Sequence, residues 1–232
     1  MQLFYQPDLS QQEFALSKEE SGHVVKVLRM GVGDVLHFTD GKGTLVKAEI
    51  IDANPKSCRV RNLEHSHFEP STPQLTIACA PTKSNDRFEF FLEKATEIGV
   101  ARIIPLLCER SERKVVKQDR LNKVLISAMK QSQQYHLPQL DELTPMQELV
   151  QAPFEGDKFI AHCSGESIPL LQDTIKPGND ALILIGPEGD FSEEEVGLAL
   201  RNAFGPVSLG STRLRTETAA IVSCTIFKVK NR

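Results

Sequence analysis

Five apolar residues, Ala181 to Ile185, run without a polar interruption into Gly186-Pro187-Glu188-Gly189. An unbroken apolar run of this length suits a strand buried on both faces, and such strands belong to parallel sheets covered by helices. Proline removes a backbone donor and glycine admits backbone angles closed to other residues, so the strand stops there. Helix-start signals follow at once, with Ser192 as N-cap, Glu195 completing a capping box, and Phe191 and Val196 placed as a hydrophobic staple. A second unit repeats the plan. It has a short strand expected around Val207 to Leu209, a loop from Gly210 to Arg215, and a helix rich in small and β-branched residues. Two glycine-bearing loops at the ends of two strands make a ligand site of the kind open α/β sheets use.

The charges around that pair limit what the ligand is. Glu188, Asp190, Glu193, Glu194 and Glu195 crowd the turn and the first helical turn. They would repel the phosphate that a helix N-terminus otherwise attracts. Neither a Walker-A string nor G-x-G-x-x-G occurs in the chain. A neutral or cationic ligand held by backbone groups fits these residues; a plain strand-to-helix turn with capping glutamates fits them too.

The rest of the chain divides into two patterns. From Leu75 onward, apolar runs at Leu75 to Ala80, Ile103 to Leu107, Phe159 to Cys163 and Ala181 to Ile185 alternate with helical stretches near Asp86 to Ile98 and Gln118 to Gln134. That alternation predicts an α/β domain with a mostly parallel sheet. The first seventy residues read as short strands with one helix. Strands are expected at Val35 to Phe38, Leu45 to Ile51 and Arg59 to Leu63. Ser17 to Glu20 reads as a capping box, leading into a helix over His23 to Met30 that Gly31 ends. So much β-structure in so short a stretch predicts a small barrel, a module suited to binding. The Pro-containing stretch from Glu69 to Pro73 is the expected joint, giving domains over 1–70 and 73–232.

Composition narrows the class further. No apolar stretch approaches the length of a membrane span, and the opening MQLFYQPDLS lacks a secretory pattern. The five cysteines are odd in number and show no C-x-x-C spacing, so a reducing cytoplasm is expected, with Cys79, Cys108 and Cys163 as small buried thiols. His65 and His67 alternate on one strand face without further ligands nearby, so no metal site is expected. A net charge of −4 argues against a general nucleic-acid coat. Basic residues nevertheless gather locally at Arg110, Arg113, Lys114, Lys117, Arg120, Lys123 and Lys130, and again at Lys228, Lys230 and Arg232. Such a run is either a solvated helix face or a limited RNA-touching patch.

The strings IGPEGDFSEEE and LGSTRLRTETA resemble the paired cofactor loops of the SPOUT methyltransferases, and more narrowly those of the RsmE family. HVVKVLRMGVGD near the start and KSNDRFEFFLEKATEIGV in the middle follow the same family order. The resemblance implies a small PUA-like barrel followed by a trefoil-knotted α/β domain, acting as a homodimer. It also implies S-adenosylmethionine as cofactor and N3 of a uridine in small-subunit (16S-type) ribosomal RNA, or in the assembled small subunit, as target. Two departures stand out. Asp190 occupies the place of a usual second glycine, and the LGxRILR pattern reads LGSTRLR, so its arginine falls one place later, at Arg213.

Under this resemblance, Leu184, Gly186, Glu188, Gly189, Leu209, Gly210 and Leu214 are the expected cofactor-binding residues. Methylating uridine N3 spreads negative charge onto O2 and O4, and a fork of donors suits those oxygens; Arg215 and Arg87 are the catalytic candidates. Arg87 serves equally to hold a phosphate. Glu217 is placed to cap a helix, bind ribose or accept a proton. His162 either lines the crevice or is a satisfied core histidine. His23, Lys26 and Arg29, each three apart on one helix, join Lys83 and Arg87 as expected RNA contacts. Two other readings stay open: ribose 2′-O-methylation, and a non-catalytic RNA-binding assembly factor, which Asp190 and the altered second loop would suit.

Overall fold

The structure, a computed structural model, describes residues 2–163 and 168–232. Two compact units emerge, one of Met1–Pro70 with Met129–Leu137, the other of Ser71–Ala128 with Pro138–Arg232.

In the first unit β1 (Leu3–Tyr5), β2 (Glu13–Ala15), β3 (Val35–Thr39), β4 (Thr44–Asp52) and β5 (Arg59–His67) form one sheet in the order β1-β3-β4-β5-β2. β1 pairs parallel with β3, and the remaining pairs are antiparallel. Alternation puts Leu36 and Phe38 of β3, Val46, Ala48 and Ile50 of β4, and Val60 of β5 into one buried cluster with Phe4 and Phe14. α1 (Lys18–Gly22) continues as a π-helical turn over His23–Val27. The expected capping box is half formed: Ser17 Oγ accepts from Glu20 N, while the Glu20 carboxylate pairs with Lys130. Nor does Gly31 end this helix. Arg29 takes the left-handed conformation two residues earlier, at φ 57°.

The second unit holds β6 (Leu75–Cys79), α2 (Asn85–Ile98), β7 (Arg102–Leu107), most of α3 (Gln118–Gln131), β8 (Gln139–Leu140), β9 (Thr144–Pro145), α4 (Met146–Gln151) and β10 (Asp157–Ala161). After them come α5 (Leu171–Thr174), β11 (Ala181–Ile185), α6 (Glu193–Arg201), β12 (Gly205–Val207) and α7 (Thr216–Lys230). Its sheet runs β12-β10-β11-β6-β7-β8 with β9 also on β7, and every pairing is parallel. β6 and β11 are buried at every position, as a strand covered on both faces must be. Leu182 and Leu184 of β11 pack with Ile104, Leu106, Ile160 and Phe191 in one core cluster.

Register decides where a ligand can sit. Ala161 is level with Ile185 and Val207, and Ile185 with Cys79, so four parallel strands end together at one edge. The segments that leave that edge, after Cys79, Ala161, Ile185 and Val207, are therefore gathered side by side. Several strand limits differ from the sequence expectation: β5 runs on to His67 rather than ending at Leu63, β10 stops at Ala161 rather than Cys163, and the last strand is Gly205–Val207, ahead of Val207 to Leu209. Short strands carry too few residues for their periodicity to fix their ends; here the partner does, since Ala161 and Val207 terminate opposite one another.

Candidate active site

The loop after β11 is built stiffly. Its glycine at 186 lies against the ring of Phe191, where an added Cβ would sit 3.1 Å from two ring carbons. Phe191 is 4% exposed, and burying such a ring contributes about 2 kcal/mol. The capping box of α6 is complete: Ser192 Oγ accepts from Glu195 N, and Glu195 Oε2 accepts from Ser192 N at 2.9 Å. The other Glu195 oxygen accepts from Glu109 N at 2.8 Å. Arg110 then donates to the carbonyl of Gly189 at 2.9 Å and to that of Phe191. Glu188 faces the segment after β6, accepting from Lys83 N at 2.9 Å, and Arg113 donates to the carbonyls of Thr82 and Lys83.

Asp190 has φ 61°, the left-handed region in which glycine is free and most residues are strained. That is the physical reason a glycine suits this position. Aspartate is among the side chains that tolerate it, because a short polar group can bond locally. Here Asp190 Oδ1 accepts from Phe191 N at 2.8 Å and Oδ2 accepts from Cys163 N at 3.0 Å. The carboxylate thereby ties the segment after β10 to the loop after β11.

The loop after β12 is looser. Ser208 bridges to Leu170, and Gly210 has φ 139° with open space where a side chain would stand. Thr216, at the start of α7, reaches back to donate to the Gly186 carbonyl at 3.1 Å. This buried bond joins the two glycine-bearing loops.

Two crevices open between them. The larger, about 750 Å³, is lined by Gly189, Asp190, the stretch 207–214, Arg110 and His162. The smaller, about 280 Å³, is lined by Gly186, Pro187, Glu188, Arg87, Arg215 and Glu217. Ala161, Cys163, Asp190, Arg213, Leu214 and Ala219 border both. A drug-sized ligand pocket falls in this size range.

The expected cofactor residues therefore divide. Gly189, Leu209 and Gly210 stand on the larger crevice, Gly186 and Glu188 on the smaller, and Leu214 on both. Leu184, expected to contribute backbone groups, lines neither crevice, and its side chain is fully buried in the sheet core. The catalytic candidates come together, Arg215 beside Arg87 on the smaller crevice. Arg87 Nε lies 3.9 Å from Glu217 Oε1, and Glu217 is 8% exposed. Among the RNA candidates, His23, Lys26 and Arg29 are exposed in the first unit, with His23 Nε2 3.0 Å from Gln2 Nε2. Lys83 is exposed and paired with Glu112 Oε2 at 2.9 Å.

Two readings change, and one open alternative, that for His162, is decided. Cys163 is exposed at the crevice mouth rather than buried, whereas Cys79 and Cys108 are buried as expected. His162 is half-buried on the crevice wall, and its Nδ1 is buried with no hydrogen-bond partner among the described residues. Burial lowers its pKa, against the pull of Asp190. Arg110 and Arg113, grouped by sequence with an RNA-touching patch, spend their guanidinium groups on backbone carbonyls of the site. Arginine in a basic run gives no sign of such long-range partners, so composition could not have separated these two from Lys114, Lys117 and Lys123.

Backbone groups of the two loops, a buried unpartnered ring nitrogen and a fixed carboxylate fit a neutral or cationic ligand with several hydrogen-bonding edges. Two family matches give this arrangement its class, that of the RNA methyltransferases. The RNA methyltransferase domain family matches residues 69–228, and the RNA methyltransferase PUA domain family matches residues 16–61.

Within that class, the chain belongs to the ribosomal RNA small subunit methyltransferase E family. It is 30% identical to the Rickettsia conorii member over 211 residues, covering 90% of this chain and 86% of that protein. Among solved structures, the "probable rRNA-methyltransferase" of Porphyromonas gingivalis is 41% identical. It superposes with a TM-score of 0.93, covering 100% of this chain and 98% of the other. The Neisseria gonorrhoeae ribosomal RNA small subunit methyltransferase E, solved bound to S-adenosyl methionine, is 27% identical. Its TM-score is 0.88, with 99% of this chain and 97% of that one covered.

Proposed function

We propose that this chain uses S-adenosylmethionine to methylate N3 of a uridine in small-subunit ribosomal RNA. The observation that carries the reading is the pair of loops, 186–191 and 208–215, meeting over the common edge of four parallel strands. Family membership and the S-adenosyl methionine bound to the Neisseria gonorrhoeae protein support it. When bound, the cofactor supplies an already activated methyl group, so the protein's part is alignment, exclusion of water and stabilisation of charge.

In this reading the backbone of Gly186, Gly189, Leu209, Gly210 and Leu214 holds the adenosyl group, with Leu184 supporting the strand beneath. Glu188 acts indirectly, by fixing the segment that precedes α2. Arg215 and Arg87 face the uracil oxygens as N3 loses its proton, since a guanidinium fork can donate to both. The nearby carboxylate of Glu217 keeps Arg87 oriented; its distance of 3.9 Å leaves room to swing toward a substrate. His23, Lys26, Arg29 and Lys83 meet phosphate or base edges of the target RNA, and the protein works as a homodimer on the small subunit. A ribosomal substrate puts its place of action in the cytoplasm. No helix among the described residues is long and apolar enough to cross a membrane.

The test is direct. Purified protein, S-adenosylmethionine and small subunits lacking the modification are incubated, and the digested RNA is examined by nucleoside mass spectrometry. 3-Methyluridine is the expected product. Ribose-methylated dinucleotides resistant to nuclease would instead assign the 2′-O reaction. Absence of any methylated nucleoside would favour an assembly role.

A further inference from the structure

We infer that Asp190 is a specificity-determining residue, one that makes the crevice prefer a positively charged adenosyl ligand to its neutral counterpart. The inference rests on the cofactor reading above. S-Adenosylmethionine is a sulfonium cation, whereas S-adenosylhomocysteine, the product left after transfer, is a neutral thioether of nearly the same shape. Shape and backbone hydrogen bonds distinguish the two poorly; a fixed negative charge distinguishes them well.

Asp190 meets the requirements for such a charge. It borders both crevices, so a ligand spanning them passes its carboxylate. Each oxygen is held by a backbone donor, Phe191 N on Oδ1 and Cys163 N on Oδ2, so the charge is preorganised and need not be ordered on binding. Neutral N–H donors stabilise a carboxylate without cancelling its charge. No lysine or arginine among the described residues lies within ion-pair distance of it. The basic groups on the wall have other settings: Arg110 donates to Gly189 O and Phe191 O, Arg213 stands in the exposed second loop, and His162, on which Asp190 pulls, is driven toward its neutral form by burial.

The backbone sharpens the point. At φ 61° the position suits glycine, and aspartate occupies it with one local bond, from Phe191 N, and one long-range bond, from Cys163 N. A glycine would suit the loop's backbone but remove both this charge and the tie to Cys163 N. The two losses separate in the comparison of ligands, because a lost tie weakens both alike and a lost charge weakens the cation more. The carboxylate favours loading of the charged donor and departure of the uncharged product from the same pocket.

The experiment is isothermal titration of the purified protein with S-adenosylmethionine and, separately, S-adenosylhomocysteine, for the native chain, Asp190→Asn and Asp190→Gly. Asparagine keeps the tolerance for the left-handed region and one acceptor but not the charge. Glycine removes the side chain and relieves the backbone. The expected result is that the ratio of donor to product affinity falls about five- to tenfold in both variants, the size of effect one nearby, partly screened charge exerts. A ratio that stays at the native value, or equal weakening of both ligands, would make Asp190 a purely structural tie and overturn the inference. Failure of the native chain to bind either ligand would instead overturn the cofactor reading itself.

Discussion

The two glycine-bearing loops look alike in sequence and differ in construction. The first is fastened from several sides: Gly186 against the Phe191 ring, Glu195 bonded to both Ser192 N and Glu109 N, and Arg110 on two of its carbonyls. The second, from Ser208 to Arg215, is mostly exposed and is anchored by the Ser208 bridge and by Thr216 at its far end. A rigid wall facing a more adaptable one teaches how a crevice can be preorganised for one part of a ligand and still admit it. Substitutions in the first loop should therefore cost stability as well as binding, and those in the second chiefly binding.

The largest effect is expected at Gly189. A Cβ there would meet Arg110 Cβ and Cδ at 3.5 Å, which alanine tolerates, but the branches of valine would push Arg110 from its carbonyls. Gly189→Val should weaken S-adenosylmethionine binding at least about a hundredfold by titration while the chain stays folded by circular dichroism. Retained affinity would mean that the loop does not hold the ligand. Next comes Gly186→Val, which overpacks Phe191 and should lower unfolding free energy by about 2–3 kcal/mol in urea. If it proved no more costly than Gly210→Ala, strained by φ 139° but sterically open, the contrast between the loops would fail.

Smaller effects sharpen the same comparison. Glu195→Ala removes one arm of the capping box and the bond to Glu109 N, for a loss of about 1–2 kcal/mol read from the same denaturation curves. Thr216→Val deletes the bond to the Gly186 carbonyl and should cost about 1 kcal/mol. The smallest signal is chemical. Cys163 is exposed, while burial raises the pKa of the Cys79 and Cys108 thiols and pushes that of Cys224 up to about 12. A raised pKa means less thiolate at pH 8, so iodoacetamide should label Cys163 first, and slowly, because burial and Asp190 raise its pKa too. Bound S-adenosylmethionine should protect it. Peptide mapping with and without the ligand reads both.

What the sequence made legible follows from how local each signal is. The strand Ala181–Ile185, its stop at Gly186-Pro187 and the capping box at Ser192 depend on neighbours within a few residues, and all three are present. The limits of β10 and β12 depend on each other across the sheet and were off by two residues. Asp190 could be seen as a departure from the family pattern, but only its φ of 61° and its bond to Cys163 N give it a physical meaning. Thr216 reaching Gly186, Arg110 reaching Gly189 and the half-buried His162 are tertiary facts, set by strands ending level, and no spacing rule contains them.

The most direct measurement is a crystal structure of this protein grown with S-adenosylmethionine. The adenosyl group is expected between residues 186–191 and 208–215, bonded mainly to main-chain atoms, with its sulfur on the Arg87 and Arg215 side. Ligand bound elsewhere on the chain, or these two loops closed against each other with the ligand excluded, would contradict that placement.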